Sequence, residues 1–183
     1  GDVYKRQVQD LSEEVGFMAE VEGKVILRKA RPEDAERIGQ IAVAAWKRIY
    51  ESYRKLMGDE LYEIVCSGWQ ERKRREVLGH LESSPETTLV AEYEGKVVGF
   101  LTYRLDRGRG MGIIGNNAVD PDYQNMGIGT MLCRKALEIF RSEGMRVATV
   151  FTGLDEGHAP ARRMYQKAGF NVAIPHVTYY LKL

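Results

Sequence analysis

Hydrophobic residues recur along the chain at two spacings, and each spacing predicts a different kind of element. From Ala35 to Ile49 apolar residues lie three or four positions apart, which is the period of one helix face. The same period predicts helices at about Asp59 to Leu81, at Ile128 to Phe140 and, more briefly, at Pro160 to Ala168. These stretches predict four helices separated by extended segments.

Runs of β-branched and aromatic residues predict the strands. Thr87 to Tyr93 and Lys96 to Tyr103 flank the pair Glu94-Gly95, which favours a tight hairpin turn. Further strands are expected at Val25–Leu27, Met111–Val119 and Val147–Thr152, with a terminal strand pair from Phe170 to Leu183. The order of elements predicts an α/β (α+β) fold, a mixed sheet flanked by helices.

The hydrophobic pattern also predicts how the chain is divided. Residues 1–22 show no sustained period, and we expect a poorly ordered tail there. Residues 23–183 contain no repeat, linker or low-complexity segment, so a single domain is expected. Met18 is a candidate for the natural start of the protein.

Composition narrows the classes of protein that fit this pattern. The 183 residues carry 27 basic and 26 acidic side chains, a net charge of +1, and so lack the basic excess expected for nucleic acid or anionic membranes. No apolar run approaches the roughly 20 residues of a membrane span. Cys66 and Cys133 are far apart and the three histidines are scattered. We expect a metal-free cytoplasmic protein without nucleic-acid or membrane partners.

One glycine cluster matches the dinucleotide-binding pattern in letters only. Gly110, Gly112 and Gly115 have the spacing G-x-G-x-x-G, which requires a strand before it and a helix that begins within it. Here Asn116 to Val119 and a proline follow, where no helix can begin. We therefore reject this match as a dinucleotide site, and a nucleotide-dependent oxidoreductase stays only as a third alternative, which absence of stabilisation by NAD would exclude.

A second cluster has the context that phosphate binding needs. Gly127 and Gly129 lie at the entry of the helix that begins near Ile128, where backbone N–H groups have no partner inside the helix. These groups and the positive end of the helix dipole bind anions, and glycine lets a diphosphate approach the backbone. The alternative is that both glycines only allow close packing of the helix on the sheet.

The residues around this second cluster resemble a known motif. The segment from Ala118 to Thr130, Ala-Val-Asp-Pro-Asp-Tyr-Gln-Asn-Met-Gly-Ile-Gly-Thr, closely resembles the cofactor motif of the GNAT superfamily, the acyl-CoA-dependent N-acetyltransferases. Residues 158–170 resemble the second motif of that family, with Tyr165 at its tyrosine position and His158 in place of the usual Asn. The resemblance spans about Val25 to Leu181.

This resemblance implies a fold and a cofactor. It implies a mostly antiparallel sheet whose fourth and fifth strands splay apart, with the pantetheine arm of acetyl-CoA in the gap, bonded near Asn117 and Val119. The implied contacts to the pyrophosphate come from Gln124, Asn125, Met126, Gly127, Ile128, Gly129 and Thr130. His158 and Ala161 are further expected cofactor contacts, although His158 also suits a helix cap or a surface position.

The resemblance also implies the chemistry. Tyr165 is expected to protonate the sulfur that leaves, because a phenol has a pKa of about 10 and a thiol about 8.5; packing in the core is the alternative for this residue. No carboxylate stands on the fourth strand to serve as a general base. Asp155 or Glu156 are candidates that act through water, and the base is left unassigned.

The acceptor is the least determined part of the prediction. We expect a primary amine of a small molecule or a peptide, with Trp46 and Tyr50 as candidate contacts in the first helical region; both also suit a hydrophobic core. A possible homodimer through the terminal strands is implied by the resemblance. The alternative function is a non-catalytic module that binds or senses acyl-CoA.

Overall fold

The computed structural model describes residues 2–183 and contains one sheet with helices on both faces. The helices are α1 (Asp2–Lys24), α2 (Ala35–Met57), α3 (Asp59–Cys66), α4 (Trp69–Ser83), α5 (Ile128–Ser142) and α6 (Ala159–Lys167). The strands are β1 (Val25–Lys29), β2 (Thr88–Tyr93), β3 (Lys96–Asp106), β4 (Met111–Val119) and β5 (Val147–Val150). Short 3-10 turns lie at Pro32–Asp34, Pro85–Thr87, Pro121–Tyr123 and Glu156–His158.

The strands follow one another across the sheet in the order β1-β2-β3-β4-β5. The first three pairings are antiparallel and only β4 with β5 is parallel. The predicted α/β fold with a mixed, mostly antiparallel sheet is thus confirmed. The hairpin turn is also as expected, since Glu94 and Gly95 have φ angles of 50° and 78°, the left-handed region that such a turn requires.

Strands β4 and β5 separate part of the way along. They pair only from Met111 to Ile114 and from Val147 to Val150, so residues 115–119 of β4 have no strand beside them on that edge. The register of β3 against β4 shifts at the same point, between Leu101 and Tyr103, which indicates a bulge in β4. The predicted splay of the fourth and fifth strands is therefore present.

Two hydrophobic clusters hold the helices on the sheet. Helix α5 contributes Leu132, Ala136 and Phe140 to the first, together with Leu101 and Ile114 of the sheet. Helices α2 and α4 contribute the second, which joins Ile38, Ile41 and Val77 to Phe100 and Ala118. All ten of these side chains are almost fully buried, so both sheet faces are covered and the edges of β4 and β5 lie between them.

The N-terminal segment differs from the expectation of a poorly ordered tail. Residues Asp2–Lys24 form helix α1, in which Val21 is buried and Val15 is 68% exposed. Val8, Leu11, Val15 and Met18 are three and four positions apart, which fits one helix face, but the first three of them are exposed. The division of the chain at residue 22 stays a prediction.

Two expectations about the secondary structure are wrong. The stretch from Asp59 to Leu81 is two helices, because Gly68 has a φ of 69° and the chain turns there. The terminal strand pair is absent, since no strand follows β5 within the described residues and the segment from Asn171 to Leu183 is exposed. Its residues have the β propensity that predicted strands, but a strand also needs a hydrogen-bonded neighbour, and none lies beside this segment.

The rejected dinucleotide pattern has a packing explanation. Residues Met111–Val119 form β4, and no helix begins among these glycines. A Cβ at Gly112 would overlap the ring of Phe140, so glycine is required there by the close approach of α5. No helix in residues 2–183 combines the length and the hydropathy that crossing a membrane would require.

Candidate active site

The cleft between β4 and β5 opens beside the N-terminus of α5. After Val119 the chain turns through Pro121–Tyr123, and Gln124 returns its side-chain amide to the carbonyl of Val119 at 3.2 Å. Asn125 and Gly127 then adopt positive φ angles of 63° and 78°, and Gly127 is the N-cap of α5. These bends place the segment 124–130 at the end of the unpaired edge of β4.

The backbone of this segment offers hydrogen-bond donors. From Asn125 to Thr130 no backbone N–H has a partner within residues 2–183, and the first bond of the helix is the one from Met131 N to Gly127 O at 3.0 Å. Consecutive unpaired N–H groups at a helix N-terminus form an anion site, supported by the helix dipole. The arrangement fits a diphosphate.

Close packing of α5 on the sheet, the alternative explanation for the two glycines, accounts for neither Gly127 nor Gly129. Gly127 needs its left-handed backbone conformation, which disfavours a side chain. A Cβ at Gly129 would lie 3.6 Å from Val119 Cγ2, an ordinary van der Waals contact, so packing on the sheet does not require glycine there. An approaching ligand does benefit from a bare backbone at both positions.

Met18 of α1 lies over this segment. A Cβ at Gly127 would overlap the terminal methyl of Met18, which therefore rests directly against the glycine backbone. A diphosphate bound at the N–H groups of 125–130 would need part of this space. The side chain of Met18 must move when such a ligand binds.

Buried polar atoms without partners mark the cleft itself. Asn117 donates from Nδ2 to Gly129 O at 3.1 Å, while its Oδ1 is buried and has no hydrogen-bond partner among the described residues. Thr152 Oγ1, just beyond β5, is likewise buried without a hydrogen-bond partner among the described residues. Buried polar groups are normally satisfied, and a ligand in the cleft would supply what Asn117 and Thr152 lack.

Tyr165 lies on α6, against the core beneath the cleft. Its side chain is 7% exposed and its ring makes an edge contact with Phe170, with 5.7 Å between centroids. Burial, and secondarily the nearby thiol of Cys133, raises the pKa of the Tyr165 phenol. The phenol therefore stays protonated at neutral pH, and its hydroxyl makes no hydrogen bond to any described residue. It is available as a proton donor.

The other predicted cofactor contacts lie on the same helix. Ala161 and Met164 of α6 pack against the core formed with α5, and Asn117 lies 3.9 Å from the sulfur of Met164. His158 comes immediately before α6 and acts as its N-cap residue, without a side-chain capping bond. The structure thus brings β4, α5 and α6 together around the cleft, and the cofactor contacts of these residues stay predictions.

The residues that follow β5 contain a pair that sequence reasoning missed. His158 Nδ1 lies 2.6 Å from Asp155 Oδ1, and the two side chains are 15% and 7% exposed. Asp155 and His158 were each considered separately, as a candidate base and as a cofactor contact. Their spacing of three residues across a 3-10 turn was the available signal, but it does not by itself fix the side-chain rotamers.

Trp46 and Tyr50 lie in an aromatic cluster beside α2. Tyr50 stacks on Trp69, with 4.1 Å between centroids and 13° between planes, and makes an edge contact with Tyr53 at 5.6 Å. Trp46 has the ammonium of Lys73 4.3 Å above its ring. Both predicted acceptor contacts are only partly buried, so a hydrophobic packing role and a contact to substrate remain compatible.

A cavity of about 230 Å³ lies between α4 and the bulged part of β4. Its walls include Glu76, Gly115 and Asn116. Asn116 donates to Glu76 Oε1 at 3.2 Å and accepts from Lys73 Nζ at 3.2 Å. Helix α4 therefore supplies, from outside the sheet, a carboxylate that β4 itself does not carry.

Neither the cysteines nor other side chains form a metal site within residues 2–183. Cys66 and Cys133 are free and buried, and no three His, Cys, Asp or Glu residues come together there. Burial, slightly offset by Arg134, raises the pKa of the Cys133 thiol to about 11. Cys133 therefore behaves as a small hydrophobic residue, as its position in an apolar helix face predicted.

Comparison with known proteins identifies the family. The chain matches the model of the Acetyltransferase (GNAT) family over residues 28–170 and belongs to that family. It is 35% identical to the uncharacterised N-acetyltransferase YjhQ of Escherichia coli over 92 residues. This aligned stretch is 47% of this chain and 46% of that protein. It is 37% identical over 65 residues to the ribosomal protein bS18-alanine N-acetyltransferase of Escherichia coli, 36% of this chain and 43% of that one. These matches cover less than half the length of either relative.

Solved structures support the same fold. The PaiA N-acetyltransferase of Thermoplasma acidophilum, in complex with coenzyme A, is 21% identical with a TM-score of 0.64, covering 81% of this chain and 91% of the other. A GNAT family acetyltransferase of Brucella melitensis, in complex with acetyl-CoA, is 26% identical with a TM-score of 0.55, covering 81% and 83%. The resemblance to the GNAT superfamily drawn from the sequence is confirmed.

Proposed function

We propose that the protein is an N-acetyltransferase that moves an acetyl group from acetyl-CoA to a primary amine of a small molecule or a peptide, by direct attack of the amine. The observation that carries the proposal is the run of unpaired N–H groups from Asn125 to Thr130 in a chain of the GNAT family. A coenzyme with a diphosphate fits these donors. The Brucella melitensis relative holds acetyl-CoA.

The proposed position of the cofactor follows from the cleft. The diphosphate would bind at residues 124–130, and the pantetheine arm would extend along the unpaired edge of β4 past Asn117 and Val119. Asn117 Oδ1 has an unsatisfied acceptor that an amide of the arm could use. Ala161 and the ring face of His158 would make van der Waals contact with the arm from the opposite side, which leaves Nε2 of His158 free. The thioester would then lie close to Tyr165.

The reaction at that thioester follows from simple acyl transfer. The neutral amine attacks the carbonyl carbon, the C–N bond forms and the C–S bond breaks. Tyr165 donates its phenolic proton to the departing sulfur and regains a proton from the nitrogen, which carries one too many after the attack. The products are an acetamide and CoA with a free thiol. Only the deprotonation of the ammonium form of the acceptor needs a further base.

The nature of the acceptor is supported by one relative. The bS18-alanine N-acetyltransferase is named for an alanine of a ribosomal protein, and an α-amino group suits this site because its pKa of about 7.7–8.0 is lower than that of a lysine, about 10.4. Trp46 and Tyr50 would lie near the acceptor. We also propose a cytoplasmic location, as expected from the composition of the chain.

The direct experiment measures release of CoA thiol from acetyl-CoA in the presence of a panel of amines: amino acids, short peptides with free N-termini, polyamines and aminoglycosides. Thiol release that depends on one class of amine, together with an acetylated product of the expected mass, supports the proposal. If acetyl-CoA binds and raises the thermal stability but no amine releases thiol, the protein is a binding or sensing module.

Tyr165→Phe tests the proton donor. Loss of the hydroxyl should lower kcat by about 10²-fold, the lower end of what a general acid contributes, with little change in the KM for acetyl-CoA. Steady-state kinetics with each substrate varied in turn measure kcat and the KM for acetyl-CoA separately. Tyr93→Phe is the matched control, because Tyr93 also packs against the α5 core but lies on β2. Unchanged turnover in Tyr165→Phe would remove Tyr165 from the mechanism.

A further inference from the structure

The Asp155–His158 pair is held in a fixed loop. Arg162 of α6 donates from Nη1 to the carbonyls of Gly153 and Asp155, at 2.6 and 2.8 Å. Gly157 packs so closely on α2 that a Cβ there would lie 2.7 Å from Ile49 Cα. The loop is therefore tied to α6 on one side and to α2 on the other.

The hydrogen bond between the two side chains determines which imidazole nitrogen carries the proton. Burial opposes ionisation of Asp155, but its bond to His158 and the charge of that ring outweigh burial and lower the pKa of the carboxyl. An ionised carboxylate only accepts hydrogen bonds, so Nδ1 of His158 must donate to it. In the neutral ring Nε2 then carries the lone pair, and a nitrogen in that state accepts a proton.

The accepting nitrogen is accessible. His158 Nε2 has no hydrogen-bond partner within residues 2–183, and it is not among the buried atoms that lack one, so it reaches solvent. By contrast, the second carboxylate oxygen of Asp155 is buried without a partner. The buried carboxylate of Asp155 thus fixes the ring of His158, and Nε2 of the ring is exposed to solvent.

His158 precedes α6 as its N-cap residue, and Tyr165 lies on the helix seven residues later. In an ideal helix this spacing is two turns, about 10 Å along the axis. The ring of Tyr53 on α2 lies 6.1 Å from the His158 ring, so the space before Nε2 is bounded by α2, which carries Trp46 and Tyr50.

We propose that His158, oriented by Asp155, is the general base that deprotonates the amine acceptor. This assignment rests on the proposed function. The acceptor's ammonium group transfers one proton to His158 Nε2, and the amine that remains attacks the thioester as described above. That proton leaves to solvent as the ring deprotonates, so the overall reaction turns an ammonium ion and acetyl-CoA into an acetamide, CoA and one proton.

The same chemistry indicates the class of acceptor. An α-ammonium group, with a pKa of about 7.7–8.0, releases its proton to any base about 250- to 500-fold more readily than a lysine side chain, with a pKa of about 10.4. A histidine base at this position therefore suits the α-amino group of an amino acid or a peptide.

The surroundings of the ring keep its pH dependence interpretable. The titratable and charged groups around it are Asp155 and Glu156 on its loop, Arg162 on α6 and Tyr53 on α2. Burial first, and then the charge of Asp155, raises the pKa of the Tyr53 phenol to about 12. Tyr53 therefore stays neutral throughout an assay between pH 5 and 10.

The first test is His158→Asn, which restores the residue usual at this position in the family. At pH 7 we expect kcat/KM for the amine to fall about 10²-fold with the KM for acetyl-CoA nearly unchanged. The deficit should shrink as the pH rises above the pKa of the ammonium group, where the amine is already neutral.

Two further variants complete the design. Asp155→Asn should lose part of the activity, about 10-fold, because the ring loses its fixed tautomer. Glu138→Gln is the control, since this carboxylate on α5 is exposed and is not a candidate for the base. If instead Glu76→Gln shows the pH-dependent loss, the carboxylate of the α4 cavity is the base and our proposal is wrong. A rise in the KM for acetyl-CoA in His158→Asn with an unchanged pH profile would assign His158 to cofactor binding only.

A measurement without turnover separates the two proposals. Nitrogen-15 NMR of the His158 ring at pH 8 should show a protonated Nδ1 in the wild type and a mixture of tautomers in Asp155→Asn. A protonated Nε2 in the wild type would overturn the role of base even in an active enzyme. Conversely, if the expected tautomer is found but no amine is acetylated, the proposed function fails, and the base assignment fails with it.

Discussion

At the scale of single residues, Arg28 of β1 connects the first strand to the turn that starts α2. Its guanidinium bonds both carboxylate oxygens of Asp34, at 2.7 and 3.0 Å, and its Nε donates to Glu92 of β2 at 3.0 Å. Asp34 also accepts from the backbone N–H of Arg31 at 2.7 Å. The side chain of Asp34 is only 6% exposed, so these bonds replace the water that it loses.

Asp34→Asn should therefore destabilise the protein and change its response to acid. Burial alone would raise the pKa of Asp34, but its bonds to Arg28 and Arg31 lower the pKa overall. A carboxyl with a lowered folded-state pKa stabilises above its unfolded pKa of about 4, and this contribution is lost as the pH falls through the folded value. We expect Asp34→Asn to lose about 3 kcal/mol at pH 7, where one partner of a largely buried pair is left uncompensated.

The measurement for Asp34→Asn is urea unfolding at several pH values. The stability difference between the wild type and the variant should be constant from pH 6 to 8 and should narrow below about pH 4. Glu33→Gln is a suitable control, because Glu33 is exposed in the same turn. A difference that stayed constant down to pH 2 would contradict the ionic origin of this stabilisation.

Residues differ in how far the sequence alone could identify them. Gly127, Gly129 and Tyr165 were recognised because they stand in motifs whose spacing is visible in the chain. The bond between Asp155 and His158 was missed because it depends on rotamers and on how the loop packs against α2. The carboxylate of Glu76 beside Asn116 was missed because Glu76 lies on another element, α4, 40 residues away in the sequence.

At the scale of elements, helix α1 is the unexpected feature. It lies before the part of the chain that matches the family, and its Met18 rests on Gly127 at the N-terminus of α5. The spacing of Val8, Leu11 and Val15 fits a helix, but these residues are exposed and form no buried face. Helices α2 and α5 were readily predicted for the opposite reason, since their buried faces repeat every three to four residues.

Met18→Ala should strengthen the binding of acetyl-CoA. The substitution removes the methyl and sulfur that lie over Gly127, so the diphosphate no longer has to displace them. We expect the dissociation constant of acetyl-CoA to fall roughly 3- to 10-fold. This change corresponds to part of the free energy gained by burying one Met side chain. Isothermal titration calorimetry with CoA measures this.

Val15→Ala provides the control for Met18→Ala. Val15 is on the same helix and 68% exposed, so its truncation changes α1 without changing the surface over Gly127. Equal affinities in Met18→Ala and the wild type would show that Met18 does not compete with the cofactor. Equal gains in both variants would indicate instead a general effect of loosening α1.

At the scale of the whole molecule, the site lies where both helix layers and the sheet meet. The cleft depends on β4 and β5 separating after Ile114 and Val150, with α5 on one sheet face and α2 with α4 on the other. The order of strands and helices along the chain could be predicted because hydrophobic spacing and hairpin turns are local signals, and the splay of β4 and β5 was implied by the family resemblance. The missing terminal pair could not, since β propensity does not reveal whether a neighbouring strand is present.

Acetyl-CoA should stabilise the whole fold, because in the proposed complex it would contact β4, α5 and α6. A ligand that binds only the native state at 100 times its dissociation constant adds about 2.7 kcal/mol. For a domain of this size each kcal/mol raises the Tm by about 2–4 °C, so a rise of about 5–10 °C is expected in a thermal melt. NAD at the same concentration should leave the Tm unchanged, since the pattern at Gly110 belongs to a strand. Stabilisation by NAD alone would contradict the position of the site.

The contact between Met18 and Gly127 would also couple cofactor affinity to the position of α1. If the proposed diphosphate site is closed while Met18 covers the N-terminus of α5, only the open fraction of molecules binds. If one molecule in ten is open, the observed affinity is about tenfold weaker than the intrinsic one. Changes in α1 can therefore set the acetyl-CoA concentration at which the protein becomes saturated, while the residues that touch the cofactor and the acceptor remain the same.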